Sequence, residues 1–169
     1  MLRILNRITR TGNLTEPLDT SASLEALGIA VQRTLDARFA GSLAIRHIDA
    51  GSCNGCELEV QALGNPYYDL ERFGIHFVAS PRHADALLVT GVVTRHMQAA
   101  LLDAWQAMAE PHLLIAAGNC ACDGGEFGCS YASLGAVENV LPVDVRIPGC
   151  PPTPAVLLRG LLAALGRTR

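Results

Sequence analysis

The sequence predicts an α/β fold, with a mostly parallel sheet, helices on both faces and an N-terminal helical arm. Three observations carry that prediction. From Leu43 onward, short apolar runs alternate with stretches of helical periodicity. One run, Ala86–Thr90, is apolar enough to be a strand buried on both faces. The cysteine-bearing segments fall directly after predicted strands, where open α/β sheets gather their ligands.

Taken in order, the first 40 residues differ from the rest. Leu2, Leu5 and Ile8 are loosely helical in spacing, and Thr11-Gly12-Asn13 interrupts them. Leu24, Leu27, Val31 and Leu35 then recur every three or four residues, as on an amphipathic helix that Ser23 could cap. Residues 1–40 are therefore expected to form a helical arm, packed on its own domain or on a neighbour, and residues 41–169 a second unit. In that unit Leu43–Ile48 reads as a strand, Glu57–Leu63 as a short helix, Ile75–Val78 and Ala86–Thr90 as further strands. Met97, Leu101, Trp105 and Met108 form a helical stripe before Pro111. Leu113–Ala117 and Val143–Ile147 are the last two strands, and Val156, Leu157, Leu161 and Leu165 lie on one face of a closing helix.

Composition narrows the functional classes. The chain has 169 residues, enough for one domain with a modest core. Half of them are hydrophobic and only 17% are charged, which favours a subunit with large buried interfaces over a free protein. A formal net charge of −3 gives no reason to expect nucleic acid. No run approaches the eighteen or more apolar residues of a membrane span, and no long apolar core follows Arg3, Arg7 and Arg10 as in a secretory signal. Six cysteines in such a chain are better read as metal ligands or redox groups than as a disulfide framework.

Four of the six stand out by their neighbours: Cys53 and Cys56 in Gly51-Ser52-Cys53-Asn54-Gly55-Cys56-Glu57, Cys120 after Gly118-Asn119, and Cys150 in Pro148-Gly149-Cys150-Pro151-Pro152. A close pair, a distant third thiol and a fourth followed by proline suit an iron–sulfur cluster, whose 4Fe–4S cube takes four thiolates. Gly55 would let the backbone pass close to inorganic sulfide, and Pro151 suits a first helical turn. Amides at the starts of the helices after Cys56 and Cys150 would face the anionic cluster. A thioredoxin-like dithiol would explain Cys53 and Cys56 alone. Structural zinc favours two closely spaced pairs, whereas 63 residues separate Cys56 from Cys120 and 29 separate Cys120 from Cys150. Cys122 could replace Cys120 as a ligand, and Cys129 reads as a small buried side chain.

From about residue 43 to the end, the chain resembles the small, electron-transferring subunit of membrane-bound energy-converting nickel–iron hydrogenases, of the formate hydrogenlyase and hydrogenase-4 type. The likeness rests on Ser52-Cys53-Asn54-Gly55-Cys56-Glu57, Glu71-Arg72-Phe73-Gly74-Ile75, Ser80-Pro81-Arg82-His83-Ala84-Asp85 and Thr90-Gly91-Val92-Val93-Thr94-Arg95. It continues through Gly118-Asn119-Cys120-Ala121-Cys122-Asp123-Gly124-Gly125, Pro142-Val143-Asp144-Val145 and Ile147-Pro148-Gly149-Cys150-Pro151-Pro152-Thr153-Pro154. The same superfamily includes the 20 kDa cluster-bearing component of respiratory complex I, which typically has two adjacent cysteines where this chain has Cys53-Asn54-Gly55-Cys56. The resemblance implies a flavodoxin-like domain binding one 4Fe–4S cluster through Cys53, Cys56, Cys120 and Cys150, and it prefers Cys120 over Cys122. It implies as partners a large subunit with the nickel–iron centre, a ferredoxin-like iron–sulfur subunit and integral membrane subunits. The chain would be a peripheral subunit on the cytoplasmic side of the cell membrane, with no complete catalytic centre of its own. Some related complexes have a large subunit without nickel ligands, and those ligands are not on this chain.

The remaining residues carry weaker signals. Glu57 is expected to open a helix, either as a plain first-turn acid or as a carboxylate that tunes the cluster or couples proton movement. Arg72, Arg82 and Arg95 could pair with a neighbour's carboxylates or lie solvated on the surface. His83 reads as a helix-entry or interface residue, and the histidines at 47, 76, 96 and 112 show no ligand spacing. Trp105 and Met108 read as core or partner contacts. Gly118–Gly125 is glycine-rich but lacks the lysine and spacing of a phosphate-binding loop.

Overall fold

The computed structural model describes residues 21–38 and 41–166. The expected helical spacing around Leu2, Leu5 and Ile8, and the break at Thr11-Gly12-Asn13, lie outside the described residues. Five strands follow helix α1 (Ser21–Arg38): β1 (Leu43–Asp49), β2 (Ile75–Phe77), β3 (Ala86–Thr90), β4 (Leu113–Ala117) and β5 (Val145–Ile147). They form one parallel sheet in the order β2-β1-β3-β4-β5, the flavodoxin-like arrangement. Helices α2 (Gly55–Ala62), α3 (Met97–Ala107), α4 (Asn119–Asp123) and α5 (Pro154–Gly166) connect or close the strands.

Alternation along the central strands divides the core in two. Leu43, Ile45, Leu88, Ile115 and Ile147 face α1, α2 and α5, which contribute Val31, Leu35, Val60, Leu157 and Leu161. Leu87, Val89, Leu114 and Ala116 face the other way, against Leu101 of α3, Met108 just beyond its end and Ala121 of α4. Strand β3 is buried at every position because helices cover both its faces. Trp105 packs at the margin of the second core, its ring edge-on to His112 with centroids 4.0 Å apart.

Helix α1 lies against α5 and against the 3₁₀ turn Leu70–Phe73. Val31 and Leu35 are fully buried, and a Cβ on Gly28 would stand 2.1 Å from the Phe73 ring. Arg72 stacks over Phe73 and donates to Glu25 at 2.9 Å, so its partner is in its own chain. Arg82 and His83 are exposed in the 3₁₀ turn Pro81–His83.

Several expected boundaries move. Ser23 lies within the bounds of α1 instead of preceding its first residue. Helix α2 begins at Gly55 instead of Glu57, because left-handed Asn54 (φ 71°) turns the chain and its carbonyl accepts from Leu58 N–H at 3.2 Å. Strand β2 stops at Phe77 and β5 starts only at Val145. Asp144 joins β4 differently: its N–H donates to Leu114 O at 3.0 Å, and its carboxylate accepts Leu114 N–H at 2.9 Å. Pro151 is not in a first helical turn. Helix α5 starts at Pro154, and Leu157 N–H donates to Thr153 O.

Candidate iron–sulfur centre

The three cysteine loops leave the sheet at the carboxyl ends of β1, β4 and β5. After β1, the Asp49 carboxylate accepts the N–H groups of Gly51 and Ser52 at 2.8 and 2.7 Å, and Ser52 Oγ accepts that of Asn54 at 3.0 Å. This local turn sets the direction of Cys53 and places Cys56 in the first turn of α2. The loops after β4 and β5 are tied together. Asn119 N–H donates to Gly149 O at 2.8 Å, and Asn119 Oδ1 accepts Gly149 N–H at 2.7 Å. Cys120 and Cys150 are therefore held in fixed relation across 30 residues of sequence.

Cys53, Cys56, Cys120 and Cys150 line one pocket of about 160 Å³, whose wall Ser52, Gly91, Asn119, Gly149 and Pro151 complete. Cys56 is buried, Cys120 half-buried, and Cys53 and Cys150 are exposed. Two glycines are required there. A Cβ on Gly118 (φ +91°) would stand 2.5 Å from Cys56 Sγ, and one on Gly91 (φ +77°) would stand 2.4 Å from Ser52 N. The cysteine loops thus close on each other only because these positions carry no side chain.

The electrostatics show what such a pocket requires. Burial pushes the Cys56 thiol up to about 12, with further contributions from Glu57 and from Cys120, Cys53 and Cys150. Burial also raises Cys120, followed by the charges of Cys150 and Cys53. Four thiolates in one pocket repel each other and become favourable only with cations among them. Among the described residues, no three His, Cys, Asp or Glu side chains converge closely enough to hold a single metal ion. The thiols instead ring a cavity. Four sulfur donors around a glycine-walled space fit a polynuclear iron–sulfide group.

Other candidates separate from this pocket. Cys122 is not among its lining residues. It packs at the second core, donates to Ala116 O at 3.5 Å, and is pushed up to about 11 by burial. Cys129 is exposed, contrary to its reading as a buried side chain, because the loop after Gly124 turns outward and its Sγ bonds Leu134 O at 3.1 Å. Arg95 is also exposed and donates to Tyr131 O at 2.9 Å. Glu57 does open a helix, yet it is only 7% exposed. Its carboxylate accepts hydrogen bonds from Ser52 Oγ at 2.5 Å and from Thr90 Oγ1. The bracing residues Asp49, Asn119 and Thr90 carry no isolated sequence signal, since each acts through a contact made by the fold.

Residues 53–164 match the model of the family described as NADH ubiquinone oxidoreductase, 20 Kd subunit. The chain belongs to that family. The matched span contains all four pocket cysteines. Formate hydrogenlyase subunit 7 of Escherichia coli K12 is 46% identical over 153 residues, covering 84% of this chain and 60% of that subunit. The chain thus spans less than two thirds of that relative's length. The NADH-quinone oxidoreductase of Carboxydothermus hydrogenoformans supplies a second relative, 49% identical over 108 residues, with 63% of this chain and 65% of that one covered. Among solved structures, the membrane-bound sulfane sulfur reductase, an archaeal respiratory membrane complex, contains a chain that superposes with a TM-score of 0.65. That chain is 33% identical, with 74% of this chain and 69% of that one covered. These three relatives are named as a subunit of a formate hydrogenlyase, a subunit of an NADH-quinone oxidoreductase and a chain of a sulfane sulfur reductase complex, and the chain is accordingly a subunit of an oxidoreductase complex. Among the described residues of this member, no helix is long and apolar enough to cross a membrane.

Proposed function

We propose that this chain is an electron-relay subunit of a membrane-bound hydrogenase complex, holding one 4Fe–4S cluster on Cys53, Cys56, Cys120 and Cys150. The observation that carries the reading is the single pocket in which thiols from three separate loops meet. When bound, such a cluster accepts and returns single electrons. The chain's own residues supply its shape and insulation. Gly91 and Gly118 allow the loops to close, Asn119 locks the Cys120 loop to the Cys150 loop, and Cys56 anchors the buried side.

In this reading the partners are a large subunit with a nickel–iron site, a ferredoxin-like iron–sulfur subunit and integral membrane subunits. The chain sits peripherally on the cytoplasmic side of the cell membrane. Residues 41–169 form the cluster-binding domain, and residues 1–40 an N-terminal arm. The likeness to formate hydrogenlyase subunit 7 supports the hydrogenase assignment. The likenesses to the NADH-quinone oxidoreductase chain and to the sulfane sulfur reductase favour a second reading, the equivalent relay in a complex I-like or nickel-free complex.

Anaerobic purification of the tagged chain with its partners tests both. Iron in the amount of one cube on this chain, about four atoms, with a paramagnetic signal on reduction is expected. Nickel together with dihydrogen evolution supports the hydrogenase reading, and iron without nickel supports the second. Zinc in place of iron overturns both.

A further inference from the structure

Three glycines line the cysteine pocket, and the fold itself requires only two of them. Gly91 (φ +77°) and Gly149 (φ +143°) have backbones that side chains rarely adopt. A Cβ on them would stand 2.4 Å from Ser52 N and 2.5 Å from Pro152 Cα, so the fold excludes a side chain at both. Gly55 is different. Its φ is not positive, and it stands at the first position of α2, after the turn that left-handed Asn54 has already made. A Cβ there would approach Cys53 Sγ at 3.6 Å and Pro151 Cβ and Cγ at 3.9 and 4.0 Å. All three are ordinary van der Waals distances.

The empty fold therefore has room for a methyl group at position 55, and a reason to carry one. Glycine forms helix less readily than alanine, because it loses more backbone freedom on folding. The amide does not explain the choice, since alanine keeps the same N–H. Nor does an outer surface, because the neighbours of that Cβ would be Cys53 and Pro151, both residues of the pocket. What alanine would remove is space inside the ring of thiols.

We propose that Gly55 shapes the cofactor site: it is kept without a side chain so that the bound cluster can use the space beside Cys53 Sγ and Pro151, although the empty chain is less stable for it. This rests on the reading that the pocket holds a cluster. The two consequences have opposite signs. Gly55→Ala strengthens the start of α2 in the empty chain and crowds the filled pocket, where close packing leaves no slack for a methyl group. Gly118→Ala is unlike it, because that methyl group meets Cys56 Sγ at 2.5 Å whether or not the pocket is filled. Gly55 thus separates what the cluster demands from what the fold demands.

The test compares full-length wild type, Gly55→Ala and Gly64→Ala, each purified anaerobically in its complex. Gly64 lies just beyond the other end of α2, where among the described residues a Cβ would meet only Gln61 O, at 3.6 Å. It controls for the exchange of glycine for alanine. On addition of an iron chelator, Gly55→Ala should lose iron about tenfold faster than wild type, the scale of an overpacked site. Gly64→Ala should match wild type. The paramagnetic signal of the clusters that remain in Gly55→Ala should shift, because the methyl group alters their surroundings. Each chain is then freed of iron and unfolded by heat, and Gly55→Ala should melt at or above the wild-type temperature. If the iron-free wild type shows no transition, limited proteolysis replaces it, with Gly55→Ala cleaved no faster than wild type. Wild-type iron retention in Gly55→Ala, an unshifted signal, a less stable or unfolded iron-free variant, or equal iron loss in Gly64→Ala overturns the proposal and leaves the cluster reading intact. So does a Gly55→Ala chain that keeps its iron but releases its partners, which would make the space a protein contact. A wild type without iron overturns both.

Discussion

The two ends of the sheet solve different problems with the same kinds of residue. At the amino ends of the strands, carboxylates finish the backbone ladder. Asp85 Oδ2 accepts Ala44 N–H at 2.8 Å while Asp85 N–H donates to Ala44 O, which ties β1 to the entry of β3. Asp144 does the same between β4 and β5. At the carboxyl ends, Asp49 and Glu57 instead bind loop amides and hydroxyls, and so position the thiols. One end is fastened for stability. The other is shaped for chemistry, with glycine where side chains would block the cysteines.

Substitutions can break this division, and the largest effects belong to the carboxyl end. Cys150→Ser should reduce iron from about four atoms per chain toward none and abolish the activity of the complex. Cys122→Ser should keep its iron, because Cys122 faces the core instead of the pocket. Full activity in Cys150→Ser would contradict the ligand assignment. In the iron-free chain at pH 8, Cys56 should be the last of the four thiols to be alkylated. Moving a thiol from 9.0 to about 12 cuts its thiolate fraction roughly a thousandfold, and burial slows it further. Peptide mass spectrometry along a time course reads this order. The sign is fixed: raising pH toward 12 should bring Cys56 into reaction.

Gly118→Ala sharpens the comparison, because its methyl group would meet Cys56 Sγ at 2.5 Å in a backbone of φ +91°. It should cost about 1–3 kcal/mol and lower iron per folded chain, as measured by denaturation and iron assay on the same sample. Asp85→Ala should cost a similar ~1–3 kcal/mol by leaving Ala44 N–H without its acceptor. Its iron per folded chain should stay unchanged, which separates the two ends. The smallest effect should come from Glu25→Ala. Its bond to Arg72 joins two side chains that are each about half exposed, 54% and 47%, so less than ~1 kcal/mol is expected in urea unfolding.

Much of this architecture was legible in the sequence, for physical reasons. Ala86–Thr90 and Leu113–Ala117 are buried strands whose composition announces them, and both lie where expected. The four thiols were legible because a glycine or proline stands within two residues of each of them, a pattern that buried structural cysteines do not need. Boundaries moved where a single residue overrode periodicity, as left-handed Asn54 did for α2. Cys129 misled because cysteine is usually buried, and only the course of its loop shows otherwise. The pairing of His47 with Thr90 and of Thr90 with Glu57 spans 43 and 33 residues. It exists only because β1 and β3 are neighbours in register, His47 opposite Leu88 and Asp49 opposite Thr90. No local pattern could report it.

Cys56 is sunk in the floor of its pocket while Cys53 and Cys150 stand open to water. On the proposed reading, that asymmetry sets an order of biogenesis. Iron and sulfide must be delivered from the uncovered rim, so maturation of this chain comes before any neighbour closes over it.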